Sequence, residues 1–508
     1  MFRRDSIPFF AGLSVVWLTT LALALWSIDY GYHWDEHLLT DALQQQAGEG
    51  RYLPGWYNYP SFTYDLTAAA MAPELIVSVV HHRRVRDHTD GMAGYWAEHF
   101  PTDLIVRSRR LSAGMTLLPV LGVGLLAWFI TRDRWAGFLG TLIMAGSFEY
   151  FYHARWLAPD GLMACLAFMT TGLVALYWQH RRWSLLMAAA LVAGLTCGTK
   201  YPGGIFLVPV LLASMLSRET RSGWGLVLSW SQIVGLFLLA FVLSTPGSLL
   251  EPYKFLGDIT RELSHYKNGH GAYTVSMPLE HSARMARYLL IVAPSRLPAL
   301  SFILLLPALW GAVCLGRRDW RLLVLILGAP ALYALYFSTQ KAMLVRNYLV
   351  LIPFLGLLAA WGFHDFRIRF HHVRVQWGLR AVFILIGVAN LSILGYTSWT
   401  VNQRSMADPV AEIRLYLEDH PDLRYSASDM VLEALGAIPA NVARDLSSPV
   451  QGHLAFLREP SVKQVVNRSG YVIHATGPCE VNLDYYSSWA GDDRIVVLNP
   501  AHSPKKFR

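Results

Sequence analysis

Residues 110–164 read RLSAGMTLLPVLGVGLLAWFITRDRWAGFLGTLIMAGSFEYFYHARWLAPDGLMA. An apolar run that begins near 104 ends at 130, and the turn Arg132-Asp133-Arg134 separates it from a second run over 136–153. A short polar stretch holding Arg155 and Asp160 then leads into a third, 160–179. Helices of about 20 apolar residues are what a bilayer core requires. The stretch therefore reads as consecutive membrane spans, with basic residues marking one end of each and an acid marking the other.

The same pattern extends both ways. Further runs lie at 7–28, 184–199, 203–217, 225–245, 287–315, 321–338, 345–362 and 380–398. Together they make about eleven spans by the length rule. The bulk numbers agree: 54% of the 508 residues are hydrophobic and 15% charged, outside the soluble range. The net charge of +8 is dispersed in short clusters between the runs. That is the distribution of topology signals rather than of a nucleic-acid surface, so no nucleic-acid partner is expected. With the N-terminus inside, 15 basic residues fall in short cytoplasmic connections, from Arg3 and Arg4 to Arg374 and Arg380. Four (Arg155, Lys200, Lys341 and Arg346) fall outside. The excess favours that orientation. Ala22-Leu23-Ala24 resembles a signal-peptide cleavage site, but the run reaches Trp26, long enough to span as an uncleaved anchor.

Three segments are not spans. Residues 30–103 form a first external loop, within which 36–50 and 61–80 read as helices on the membrane surface. A crossing over 62–80 would turn every later basic loop outward, and Asp65, Pro73 and Glu74 fit it poorly. Residues 245–286 form a second large external loop. From 401 to 508 the composition becomes soluble: DPVAEIRLYLEDH reads as an amphipathic helix, and KQVVNRSGYVIHAT and DRIVVLNP as strand-rich. The expected organisation is a polytopic α-helical membrane domain over 1–400 and a small external α/β domain over 401–508. Cys165, Cys197, Cys314 and Cys479 show no metal or redox spacing, and no structural disulfide is expected. The triplet NRS at 467–469 is a weak glycosylation signal.

On this topology the notable polar residues converge on the external face. Asp35 and Glu36 follow the first span, Arg155 and Asp160 the third, and Lys200 the fifth. His265 and His270 lie in the second large loop, and Lys341, Arg346 and Tyr348 precede the tenth span. Charges so near a bilayer core pair, line an aqueous cavity or serve function. A carboxylate can take a proton from an attacking hydroxyl, while Lys and Arg bind a phosphate and offset the charge growing on it. That combination suits transfer from a lipid-linked sugar phosphate. Each residue alone also has a plainer role. Asp35 and Asp160 could cap helices, Lys200 and Arg346 could snorkel, and the histidines could be ordinary loop residues, lacking metal-ligand spacing.

Taken together, the motifs YHWDEHLLTDALQ, YNYPSFTYDLTAA, the 110–164 stretch, LVAGLTCGTKYPGGIFLVPVLL and VRNYLVLIPFLGLLAAWG resemble the GT-C superfamily of membrane glycosyltransferases. The likeness is to its family 39 branch and the aminoarabinose-transferase relatives, and it covers roughly residues 1 to 400. YPS stands in the second motif where relatives often carry paired prolines. The resemblance implies inverting hexosyl or pentosyl transfer from a polyprenyl-phosphate carrier to an envelope acceptor, outside the bacterial inner membrane. It implies that Asp35 is the base, Glu36 its support and Asp160 a second acid near the donor head group. It also implies that Lys200, Arg346 and Tyr348, then Arg155 and Lys341, hold the phosphate. Tyr59, His265 and His270 fall in loops expected to meet donor or acceptor. No metal site and no required cofactor are expected, with a supporting divalent cation left open. Two other classes remain. A lipid-linked sugar flippase or transporter favours mid-membrane polar residues and inverted repeats. A glycan polymerase or ligase would use a diphosphate donor.

Overall fold

The computed structural model describes residues 7–26, 28–29, 34–84, 95–96, 99–217, 223–269, 273–370, 372–405, 409–427, 432, 435, 439–443, 452–457, 472–475 and 494–498. The chain packs as two units, Met1–Ile28 with Trp34–Ser398, and Asp29–His33 with Trp399–Arg508.

In the first unit, among the described residues, seven helices are long and apolar enough to cross a bilayer: Ile7–Leu25, Leu104–Thr131, Pro159–His180, Gly223–Ser244, Pro298–Ser338, Val345–Arg369 and Arg374–Trp399. Two shorter apolar helices, Trp183–Thr199 and Tyr201–Leu216, accompany them. The chain is a multi-span membrane protein. About eleven spans were expected from hydropathy, those around 184–217 short, and the differences have local causes. The run at 136–153 breaks at Ser147, which adopts an extended backbone (φ −68°, ψ 105°), and yields Arg134–Ala145 and Phe148–Ala154. The expected gap between the runs at 287–315 and 321–338 is kept as a kink at one non-helical residue, Asp319 (φ −152°, ψ 86°), within Pro298–Ser338. Asp319 caps the following segment by accepting the Leu322 N–H at 3.0 Å. The residues before Pro298 form instead an amphipathic helix, Pro278–Arg287, and a π-turn, Tyr288–Val292.

The spans at 159–180 and 345–369 are the most enclosed, 78% and 83% buried against 11% for Gly223–Ser244. They form the centre of the bundle. Glycines bring neighbouring backbones together: a Cβ at Gly311 would lie 1.9 Å from the Leu358 carbonyl oxygen, and one at Gly362 1.9 Å from that of Pro307. Close approach through small residues is the usual basis of helix association in lipid. At one end of the bundle arginines lie over aromatic rings: Arg181 over Trp178 (4.0 Å), Arg380 over Trp135 (4.8 Å) and Arg369 over Trp310 (5.3 Å). Asp133 locks this end by accepting from Trp135 N–H (3.0 Å), Arg367 Nε (2.7 Å) and His364 Nδ1 (3.0 Å).

The loop after the first span holds Trp34–Gly48, Phe62–Ala70 and Ala72–Arg84. The last two are separated at Met71 and neither reaches spanning length. Leu39, Leu43, Tyr64, Met71, Leu104 and Leu157 pack together beneath them. In the second unit, among the described residues, the helix Pro409–Glu418 accompanies five strands: β1 (Tyr425–Ala427), β2 (Val442–Ala443), β3 (Gly452–Leu457), β4 (Val472–Ala475) and β5 (Arg494–Leu498). Their order is β2-β1-β3-β5-β4. β1 runs parallel to β2 and β3, and β5 antiparallel to β3 and β4. Ile413, Leu417, Tyr425 and Leu454 are central to its core. The NRS triplet and Cys479 lie outside the described residues, and Cys165, Cys197 and Cys314 are free.

Candidate active site

Asp35 and Glu36 occupy the first turn of Trp34–Gly48. Adjacent helical residues point about 100° apart, so the two acids serve different partners. Asp35 accepts from Arg346 Nη1 at 2.6 Å. Glu36, fully buried, takes a two-pronged bond from Arg109, Nε to Oε1 at 2.8 Å and Nη2 to Oε2 at 2.6 Å. It also accepts the Leu157 N–H at 2.7 Å, and Arg109 caps the Ile28 carbonyl at 2.8 Å. The second acid thus ties the helix that carries Asp35 to the second span.

Asp160 lies in the first turn of Pro159–His180, behind Pro159. Its Oδ1 accepts from Lys200 Nζ at 2.6 Å, and its Oδ2 lies 3.6 Å from Arg346 Nε. Lys200 ends the helix Trp183–Thr199 with an extended backbone (φ −154°, ψ 129°). Gly203 lets the chain fold back there, since a Cβ would meet the Thr196 carbonyl oxygen at 2.4 Å. Arg346 sits on the 3-10 turn Val345–Leu351, and the next residue, Asn347, accepts a second bond from Lys200 at 2.6 Å. Four residues from distant parts of the chain, Asp35, Asp160, Lys200 and Arg346, form one buried network. Burial is the largest influence on Asp35 and pushes its carboxyl up, Arg346 opposing and Asp160 reinforcing it.

Beside the network opens a cavity of about 520 Å³, lined among others by Lys200, Tyr59, Asn58, Glu262, Tyr266 and Tyr333. Tyr59 Oη is 3.5 Å from Arg346 Nη2. The loop before Phe62 is clasped by the second large loop, Tyr57 N–H donating to Asp258 (3.0 Å) and Tyr57 Oη to Glu251 (2.5 Å), and by Tyr201, whose Oη donates to the Tyr57 carbonyl (2.7 Å).

The other expected residues take different places. Arg155 is buried and donates to the carbonyls of Trp26 (2.9 Å) and Leu23 (3.5 Å), at the end of the first span. The Lys341 side chain is exposed, while its N–H bonds the Tyr266 carbonyl at 3.1 Å. Tyr348 turns its hydroxyl to His281 Nε2 at 2.5 Å. His281 Nδ1 lies 2.7 Å from the Gln340 carbonyl, so Nδ1 donates and Nε2 accepts from the tyrosine. Burial pushes this imidazole down, which suits the neutral ring. His265 is half-buried beside Tyr266, with ring centres 5.9 Å apart. His270 lies outside the described residues. Asn347, Arg109, Asn58 and Glu262 were not singled out from sequence. Only Asn347 had a signal, its place between Arg346 and Tyr348. Among the described residues no group of three or more His, Cys, Asp or Glu gathers, and Asp35 and Asp160 already face Arg346 and Lys200.

The fold is shared with a solved membrane protein of the kind the motifs resemble. The chain superposes on ArnT from Cupriavidus metallidurans bound to undecaprenyl phosphate with a TM-score of 0.54 and 16% identity, over 98% of each chain. The apo state of that protein gives 0.49 at 16% identity, over 97% of this chain and 98% of the other. The Archaeoglobus fulgidus oligosaccharyltransferase in complex with Zn and sulfate gives 0.49 at 12%, over 85% of this chain and 62% of the other. Residues 96–246 match the family of dolichyl-phosphate-mannose-protein mannosyltransferases. No curated protein matches the sequence.

Proposed function

We propose that the protein is an inverting glycosyltransferase that moves a sugar from a polyprenyl-phosphate carrier to an envelope acceptor, at the periplasmic face of the bacterial inner membrane. One observation carries the proposal: two acids and two cations from four distant segments converge beside a cavity large enough for a sugar phosphate. The fold shared with ArnT supports the same class of donor.

The residues divide the work as follows. The donor phosphate draws Arg346 away from Asp35, which leaves that carboxylate able to accept the acceptor hydroxyl's proton. The acceptor oxygen attacks the anomeric carbon from the face opposite the phosphate. The old carbon–oxygen bond breaks and its electron pair goes to the lipid phosphate, whose growing charge Lys200 and Arg346 offset. Asp160 holds Lys200 and Arg346 at the phosphate position. Glu36 acts as a positioning residue through the helix it anchors. Tyr59 lies at the junction of network and cavity, and His265 and Tyr348 belong to the loops that enclose it. The chain's own cations take the part a divalent ion would otherwise play, so EDTA should leave activity unchanged.

Asp35→Asn tests the assignment. With the purified variant in liposomes and a radiolabelled donor pool, transfer should fall by about 10²–10⁴-fold while monodispersity is unchanged. Wild-type turnover by this variant would remove Asp35 from the mechanism.

A further inference from the structure

The helix Pro252–Asn268 and its N-cap carry three acids on one stripe, Glu251, Asp258 and Glu262, spaced seven and four residues apart. The first two hold Tyr57, through its hydroxyl and its N–H. Glu262 has no such task. It takes a long 3.4 Å contact from Asn58 Nδ2, and both side chains line the cavity next to Lys200. Asn58 Oδ1 is buried without a hydrogen-bond partner. A buried acceptor is costly unless something supplies a donor.

This edge of the cavity therefore presents acceptors, Glu262 and Asn58 Oδ1, beside the cation that would hold the donor phosphate. The walls next to it are the rings of Tyr59, Tyr201 and Tyr266. A sugar joined through its anomeric carbon to that phosphate would bring its ring hydroxyls against this edge, with aromatic faces for its C–H surface.

We propose that Glu262 and Asn58 read the transferred sugar, accepting hydrogen bonds from donor groups on two neighbouring ring carbons. This rests on the donor site proposed above and adds the class of head group. The sugar is unsubstituted at those two positions and carries no anionic group there, because the Glu262 carboxylate would repel one.

The test compares lipid binding by the full chain in nanodiscs. The probes are undecaprenyl phosphate alone and undecaprenyl phosphate bearing glucose, galactose, mannose, xylose or glucuronic acid. Wild type should bind at least one neutral glycosylated form about tenfold more tightly than the bare lipid phosphate, and the glucuronyl form no more tightly. Glu262→Gln, which keeps the shape, and Asn58→Ala should each erase that margin while bare-phosphate affinity stays within about twofold. Equal weakening of both forms by Glu262→Gln, or a margin that survives it, would overturn the assignment. A wild type that binds bare lipid phosphate but gains nothing from any sugar would overturn this inference alone. A wild type that binds no lipid phosphate would remove the donor site itself.

Discussion

Asp35 is held between opposing influences, burial raising its proton affinity and the Arg346 guanidinium lowering it, with burial the larger. A base with a raised pKa is better matched to neutral pH. In the proposed mechanism transfer needs the carboxylate, so kcat/KM should fall as pH drops through a value above the usual carboxylate range. A profile flat down to pH of about 4, the reference carboxylate value, would contradict this. Lys200 is bound to its partner in a different sense. Lys200→Ala strands Asp160 in the bundle, and breaking one side of a buried pair costs on the order of 3–5 kcal/mol. We therefore expect Lys200→Ala to yield little folded protein. Lys200→Met combined with Asp160→Asn should recover folding, yet leave donor KM raised, as measured by thermal unfolding and initial rates. The network acids and cations were legible in the sequence because each interrupts or ends an apolar run where a charge is otherwise costly. Arg155 carried the same signal for a different reason: it closes the carbonyls of Trp26 and Leu23. A lone arginine at a span end does not reveal whether its partner is backbone or ligand.

The helix Trp34–Gly48 shows how one element separates two tasks. Its boundary lies close to the predicted one, yet the division between Asp35 and Glu36 depends on which residues the second span presents. Arg109 lies in the cluster RSRR at the start of that span, where nothing local distinguishes it from Arg107, which pairs with Asp103 and Glu74. Glu36→Ala should destabilise by about 3–5 kcal/mol, since it strands Arg109 and leaves the Leu157 N–H without its acceptor. Glu36→Gln should cost less, because its amide oxygen still accepts one of those bonds. Unfolding in detergent separates the two, and equal losses would show that the charge is the whole effect. The helix break at Ser147 was missed because hydropathy averages across a single extended residue, whereas the break at Asp319 falls in the expected gap between 315 and 321.

For the molecule as a whole, the two ends of the bundle differ in chemistry. Arginine–tryptophan contacts mark one, and the acid–cation network with its overlying loops marks the other. Arg182 follows the central helix that Asp160 begins, so those two residues lie a helix length apart. The exposed Tyr253 belongs to the helix that clasps the site. Single-cysteine variants in a cysteine-free background should label at Tyr253→Cys from the periplasm and at Arg182→Cys from the cytoplasm. The reverse would invert the proposed orientation. The close crossing at Gly311 and Gly362 should tolerate no methyl group: Gly311→Ala should cost about 1–3 kcal/mol or more, read as earlier thermal aggregation. Composition and hydropathy revealed the class of fold. The crossing itself was hidden, since a glycine in a lipid-embedded helix looks the same in sequence whether it meets a backbone or a lipid chain.

The buried network also bears on how a spent carrier departs. Asp35, Asp160, Lys200 and Arg346 sum to zero, and the phosphodiester donor proposed above brings one negative charge. Transfer turns it into a monoester with a second ionisation near pH 6, just as Asp35 gains a proton. Discharged carrier and protonated acid therefore stabilise one another. Retention of the discharged lipid should tighten in acid and relax in alkali, so that the acidity of the compartment regulates how quickly the enzyme is cleared for its next cycle.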